Sequence, residues 1–358
     1  MDGGDGLMGG KRGWKKGALE LALFLAVLVL TFRTMFGGQK IGSLLAAIGR
    51  LTPVCTAAAV LLGLLFVCLE GFMIWLLLTA MGGKSGLGRC VGYSFVGFFY
   101  SGITPSATGG QPMQLLYMKR DGNRVEDSTV VLMVVALCYK LALVCIGAVL
   151  LIGWRERLVS RMGGSFGLYL LGMLLNTLLV LLLLGVMGFP QVMRRTAGSL
   201  EGLLVRAGFW KQDSARMERT DRFVESYRRA VQFLRAHPGR LAAVLLCTFV
   251  QRCTVFVLTW MIYLGFGLTG TGGGEIAWLQ AAVYLAVDML PVPGAQGVTE
   301  LLYKKVFSGI FPAGLLLPAM LASRAAGFYL PLLFGLAAAA GFWMAGRRGK
   351  DKERIAAA

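Results

Sequence analysis

Six stretches of this 358-residue chain are apolar for long enough to cross a bilayer: residues 17–36, 53–80, 125–152, 165–188, 240–268 and 311–344. About 20 predominantly apolar residues make a helix as long as the hydrocarbon core is thick. In lipid the backbone must satisfy its own hydrogen bonds, which leaves helices and closed barrels as the spanning forms. Runs this long specify helices. Composition agrees, with 56% apolar residues, 15% charged residues and a mean hydropathy of +0.69, where soluble chains carry about 25% charged residues. No water-soluble block longer than about fifty residues lies between the runs. The expected fold class is an all-α polytopic membrane protein with one membrane domain, residues 17–346. A tail at 1–16, a basic loop at 189–239 and a tail at 347–358 complete it.

Two short segments break the apolar pattern in the same way. The first reads Thr-Pro-Ser-Ala-Thr-Gly-Gly-Gln-Pro-Met-Gln-Leu-Leu-Tyr from Thr104, and the second Leu-Pro-Val-Pro-Gly-Ala-Gln-Gly-Val-Thr-Glu-Leu-Leu-Tyr from Leu290. Pro105 answers Pro291, Gly109-Gly110-Gln111 answers Gly294-Ala295-Gln296, and Leu115-Leu116-Tyr117 answers Leu301-Leu302-Tyr303. Paired Pro/Gly breaks at corresponding places in two halves of a membrane protein point to a binding site made by broken helices. The alternative is that Pro105 and Pro291 merely kink two helices; a shared Gln and Leu-Leu-Tyr go beyond what a kink requires.

The net charge of +18 raises the question of nucleic acid, and its distribution answers it. Basic residues gather at membrane edges: Lys11, Arg12, Lys15 and Lys16, then Arg347, Arg348 and Lys350, and the largest group between Arg194 and Arg240. No aromatic-interleaved basic strand or zinc signature accompanies them. Such flanks are retained on the cytoplasmic side and favour anionic headgroups. With both termini cytoplasmic, residues 87–102 and the first motif fit as a re-entrant hairpin, because a full crossing would export Lys119, Arg120 and Arg124. Residues 275–290 and the second motif dip in from the opposite face. The topology is six full spans plus two oppositely inserted re-entrant helical hairpins, an inverted repeat of about 53–152 and 240–345. Arg155, Arg157 and Arg161 run against this scheme, since they lie outside with Glu156 alone to offset them.

Hairpin tips rich in Pro and Gly imply a polar cavity near the midplane, because bare backbone is tolerated at that depth only beside protein or water. Helices starting at Gln111 and Gly297 would aim N-terminal NH groups into it, and such ends attract anions. Charged residues inside spans add to this: Glu70, Lys140, Arg252, Asp288 and Arg324. A charge at the bilayer centre costs at least about 2.5 kcal/mol on insertion scales, so such residues face the interior, pair, or serve a pathway. A structural pair such as Glu70 with Lys140 is the alternative for any one of them. Arg252 and Arg324 have no obvious acidic partner in sequence and suit an anionic headgroup.

The seven cysteines lie in or beside apolar runs without Cys-x-x-Cys spacing and read as small core hydrophobes. His237 precedes Pro238 just before a span, which suits a helix-end role. No metal or cofactor is implied. The first apolar run is long and lacks a small-residue cleavage site, so it is expected to remain as a signal anchor.

The sequences around Thr104 and Leu290 resemble the two signature regions of the lysylphosphatidylglycerol synthase transmembrane family, the flippase-like module of the bacterial multiple peptide resistance factor. The resemblance covers roughly residues 15–345, with Ala295 standing where members often have Gly. In that family a soluble C-terminal domain moves an aminoacyl group from tRNA to phosphatidylglycerol, whereas this chain ends in Arg-Arg-Gly-Lys-Asp-Lys-Glu-Arg a few residues past its last span. What the resemblance implies is a transporter in the bacterial plasma membrane, moving a phospholipid such as aminoacylated phosphatidylglycerol between leaflets. Substrate would meet Thr104, Pro105, Gly109, Gly110, Gln111, Pro291, Pro293, Gly294, Gln296 and Glu300 at the tips. Arg252, Arg324 and Lys140 would hold phosphate, with Glu70, Asp288 or Glu300 available to an amine. Two other classes stay open. One is a phosphatidylglycerol lysyltransferase-type enzyme of lipid modification and cationic peptide resistance, the only reading that calls for a nucleic acid partner. The other is a membrane scaffold or regulatory subunit using the amphipathic segment 218–236. A second copy of the chain and a separate lipid synthase are the protein partners to consider.

Overall fold

The computed structural model describes residues 41–104, 107–188 and 214–356, with the backbone alone for 41, 214–223, 234 and 346–356. The first expected span, the N-terminal tail, Pro105 and residues 189–213 lie outside the described residues. The described residues are helical and contain no strand. In chain order the helices are α1 (Ile41–Ile48), α2 (Pro53–Ala80), α3 (Leu87–Ile103), α4 (Gly110–Arg120), α5 (Val125–Gly153), α6 (Arg155–Met162), α7 (Phe166–Gly188) and α8 (Ser214–Arg235). They continue with α9 (Pro238–Gly265), α10 (Gly273–Val287), α11 (Val298–Phe307), α12 (Ala313–Arg324) and α13 (Leu330–Ala356).

Five helical segments are long and apolar enough to cross a membrane: Pro53–Ala80, Val125–Gly153, Arg155–Gly188, Pro238–Gly265 and Ala313–Ala345. Four of these match the expected runs to within a few residues, and the fifth, Arg155–Gly188, begins ten residues before the expected 165 because the short helix α6 runs into α7. The protein is a polytopic helical membrane protein. Pro53 and Pro238 open α2 and α9 at their first turns, where proline's missing NH costs nothing. The last span is less regular than its hydropathy suggests. Pro318 lies inside α12, and a π-helical turn, Ala325–Tyr329, joins α12 to α13 immediately after Arg324. Such turns mark places where the i→i−4 ladder has been interrupted, often at functional sites.

Helices α2 and α9 form the centre of the bundle and run antiparallel. Thr52, before α2, bonds to the Gly265 carbonyl at the end of α9 through its amide (3.0 Å) and Oγ1 (3.2 Å). At the middle of the contact Gln251 Nε2 donates to the Phe66 carbonyl at 2.7 Å. Helices approach closely where a side chain is missing: a Cβ on Gly63 would stand 2.1 Å from the Ala326 carbonyl oxygen, and one on Gly172 2.2 Å from that of Leu285. Small residues allow this in membranes, where packing rather than hydrophobicity drives association.

Around this centre stand two helical hairpins. Helices α3 and α4 fold back on each other, and their ends are tied together: Arg89 donates to Asp121 through Nε (2.8 Å) and Nη2 (3.0 Å), and Tyr93 donates to the same carboxylate. Asn123 closes the base by accepting from the Lys84 amide at 3.0 Å and donating to Ser85 Oγ at 2.7 Å. Helices α10 and α11 make the second hairpin. Its base is gripped by α6, where Arg161 Nη2 donates to Glu275 at 3.3 Å, and by Lys305 Nζ donating to Ser165 Oγ at 3.0 Å. The first base adjoins the start of α5 and the second adjoins α6 just past its end. At 1.5 Å per residue a helix of this length separates them by roughly 43 Å. Arg161 is therefore not uncompensated, as the sequence suggested, because Glu275 arrives from a distant element.

The amphipathic segment forms α8, with Tyr227, Ala230 and Val231 buried against α5. These three side chains are packed on the protein's own bundle. His237 sits at the start of α9, with Nδ1 2.8 Å from the Phe233 carbonyl oxygen.

Candidate functional site

The breaks between hairpin arms are local consequences of sequence. In the first, Thr104 Oγ1 donates to the Tyr100 carbonyl at 2.6 Å and accepts from the Gly109 amide at 2.9 Å, so one hydroxyl closes α3 and opens the turn into α4. Gly110 is required by space, since a Cβ there would lie 2.0 Å from Ser101 Oγ. In the second, Glu300 reaches back to accept from the Gly297 amide at 2.6 Å, a cap for the first turn of α11. Ala107 (φ 54°) and Ala295 (φ 49°) are the only non-glycine residues at positive φ among those described. One sits at each tip. Such conformations are strained and gather at functional sites.

The intramembrane charges meet around these tips, in pairings that differ from the sequence-based expectation. Lys140, near the middle of α5, donates to Asp288 at 2.5 Å, and Tyr139 donates to the other oxygen of that carboxylate. Lys140 thus pairs with Asp288 rather than with Glu70. Arg324 has an acidic partner after all: Nε donates to Glu300 at 2.8 Å and Nη2 to the Gly294 carbonyl at 3.2 Å. Glu70 accepts from Gln114 Nε2 at 2.7 Å.

Arg252 is the exception. It is 2% exposed, and its Nε and Nη1 have no hydrogen-bond partner. Its guanidinium lies 4.1 Å from the ring centroid of Tyr139, 4.3 Å from that of Phe66 and 5.8 Å from that of Tyr284. Aromatic faces stabilise a cation and leave its NH groups unused. Glu70 lies within the field of Arg252, and no ion pair between them occurs among the described residues. Arg252, Tyr139, Asp288 and Lys140 therefore form a contiguous polar path where α2, α5 and α9 meet the second tip.

Phe328, in the π-helical turn, connects the hairpins. Its ring is 6.0 Å from that of Phe98 on α3, and a Cβ on Gly294 would stand 2.5 Å from its Cζ. Arg324 lies over the same ring at 4.4 Å.

Of the other residues singled out from sequence, Thr104, Gly110, Pro293, Gln296 and Glu300 are buried, Gly109 and Gly294 are half-buried, and Gln111 and Pro291 are exposed. Gln296 is 2% exposed with neither amide atom bonded. Arg252, Gln296 and Glu300 are all enclosed by protein. Sequence reasoning missed Phe66, Tyr139, Tyr284 and Gln114. Gln114 was within reach, because it stands immediately before Leu-Leu-Tyr where Glu300 stands in the second motif.

A multi-pass helical bundle with two helical hairpins, each broken by Pro/Gly at its tip and gathered around buried cations, defines an integral membrane protein that works on or among lipids. Residues 17–335 match the family described as Lysylphosphatidylglycerol synthase TM region. The chain belongs to that family. None of the curated proteins compared with it matches.

Proposed function

We propose that this protein is a flippase-like lipid transporter, moving a phospholipid between leaflets past the site between the two hairpin tips. The observation that carries the reading is Arg252, a buried intramembrane arginine with unpaired NH groups. Such a residue is held at a cost of at least about 2.5 kcal/mol on insertion scales, and a phosphate oxygen is the ligand its free donors suit. Lys140 and Arg324 are already paired within the protein, so they join phosphate binding only when the tips move.

The membrane arrangement supporting this reading is an inverted repeat within residues 17–346. Helix α2, the first hairpin and α5 correspond to α9, the second hairpin and α12–α13, and the first span, before α2, gives six spans. The central antiparallel pair, α2 and α9, are the equivalents of each other, and they cross at Phe66 and Gln251, beside Arg252. With the basic loop and both termini in the cytoplasm, the hairpins are re-entrant from opposite faces of a bacterial plasma membrane. Rocking one repeat against the other changes which leaflet reaches the site.

The test is leaflet exchange of a fluorescent phosphatidylglycerol by the purified protein in liposomes. Exchange above that of empty liposomes, lost in Arg252→Gln, supports transport. Exchange equal to empty liposomes defeats it, and formation of lysylphosphatidylglycerol from charged tRNA would install the enzyme reading instead.

A further inference from the structure

The outward-facing base of the second hairpin carries a second charged group that the transport path does not use. Helix α6 buries Leu158 (2% exposed) and Met162 (0%) in the main core and turns Glu156, Arg157 and Ser160 outward. With Arg161 and with Glu275 of α10 these residues line a depression of about 330 Å³, within the size range of small-molecule sites. Two cations and two carboxylates meet there, and one pair is already formed, Arg161 with Glu275 at 3.3 Å. Glu156 has no ion-pair partner among the described residues. Arg157 is stacked 5.0 Å from the ring of Trp154, which fixes the guanidinium while leaving its NH groups free.

The place of this depression selects its occupant. Helix α5 ends at Gly153, and its last turns expose Val149 (58%) and Ile152 (85%), apolar side chains that face lipid in a membrane span. Trp154, the next residue, belongs to a type that settles at the headgroup level. Glu156 and Arg157 follow within one turn. A lipid whose chains lie along Val149 and Ile152 therefore has its headgroup beside one free carboxylate and one free guanidinium. We propose that this depression is a binding site for a zwitterionic phospholipid headgroup, with phosphate on Arg157 and Ser160 and a primary ammonium on Glu156.

A soluble phosphate ester shares part of this chemistry, and the experiment separates the two sources. The full chain in detergent, carrying Arg252→Gln so that the central site is disabled, is titrated in native mass spectrometry. The probes are dioctanoyl phosphatidylethanolamine, dioctanoyl phosphatidylglycerol and water-soluble glycerophosphoethanolamine. Phosphatidylethanolamine should bind about tenfold more tightly than phosphatidylglycerol, the worth of one charge-assisted hydrogen bond. Glu156→Gln should erase that preference, and Arg157→Gln should weaken both lipids by a similar factor. Both side chains are exposed, so each variant should keep the unfolding temperature of its parent. Equal binding of the two lipids overturns the site, as does a preference that survives Glu156→Gln. Binding of glycerophosphoethanolamine as tight as that of the lipid overturns it also, because the apolar rim would then contribute nothing. Since the central arginine is absent throughout, these outcomes are independent of whether the protein transports lipid.

Discussion

Arg324 donates through Nε to Glu300 at 2.8 Å, whereas Gln114, which stands in the first motif where Glu300 stands in the second, donates to Glu70 at 2.7 Å. One tip is thus fastened by a buried ion pair and the other by an amide to a carboxylate. Breaking a buried ion pair by removing one partner leaves an uncompensated charge and costs about 3–5 kcal/mol. Removing a neutral donor costs about 1–3 kcal/mol. Glu300→Ala should therefore lower the unfolding temperature in detergent more than Gln114→Ala does. Adding Arg324→Ala to Glu300→Ala should restore part of the loss.

Arg252 separates function from stability. A purely structural arginine would destabilise the protein when replaced. Here Nε and Nη1 are unpaired, so Arg252→Met, which keeps much of the volume against Phe66 and Tyr139 and removes the charge, should leave the unfolding temperature unchanged or raise it. Lipid exchange should disappear in the same protein. Residues retained for function at a cost in stability behave this way.

The two hairpin bases should be reachable from opposite sides of the membrane. Arg120→Cys reports on the first and Ser308→Cys on the second, in a background where the exposed Cys145 and Cys253 are replaced by Ala. In sealed, right-side-out vesicles an impermeant maleimide should label the Ser308→Cys protein and leave the Arg120→Cys protein unlabelled until the vesicles are opened. Labelling of both from one side would refute opposite insertion.

Close packing of α2 on the π-helical turn should tolerate no side chain at Gly63, where an added Cβ would lie 2.1 Å from the Ala326 carbonyl oxygen. Gly63→Leu should cost at least about 1–3 kcal/mol through overpacking, read as a fall in unfolding temperature. Gly185→Ala, at a position with nothing within 4 Å, should leave stability unchanged or raise it slightly.

Much of the architecture was legible along the chain. Pro53 and Ala80 bound a helix both as a hydropathy run and as an observed element, and the Thr104 and Leu290 motifs fall at the two breaks. Local features carry such information, because a span is a continuous apolar run and a break needs Pro or Gly at the place where it occurs. The sequence predicts one uninterrupted span over 311–344, and the interruption at Ala325–Tyr329 is marked only by Gly327 inside it and Pro318 seven residues earlier, both embedded in a continuous apolar run.

Partner choice was a different matter. The sequence by itself determined that this chain is a helical membrane protein, where its two hairpins break, and that Glu70, Lys140, Arg252 and Arg324 lie inside spans. The tertiary structure decided that Lys140 meets Asp288, that Arg324 meets Glu300, that Arg161 is answered by Glu275, and that Arg252 is left to three aromatic rings. The reason is physical: hydropathy and helix breaking act between near neighbours, whereas a buried charge is satisfied by whichever group the packing brings within about 3 Å. Lys140 and Asp288 are separated by 148 positions, and only the folding of both halves around α2 and α9 brings them into contact.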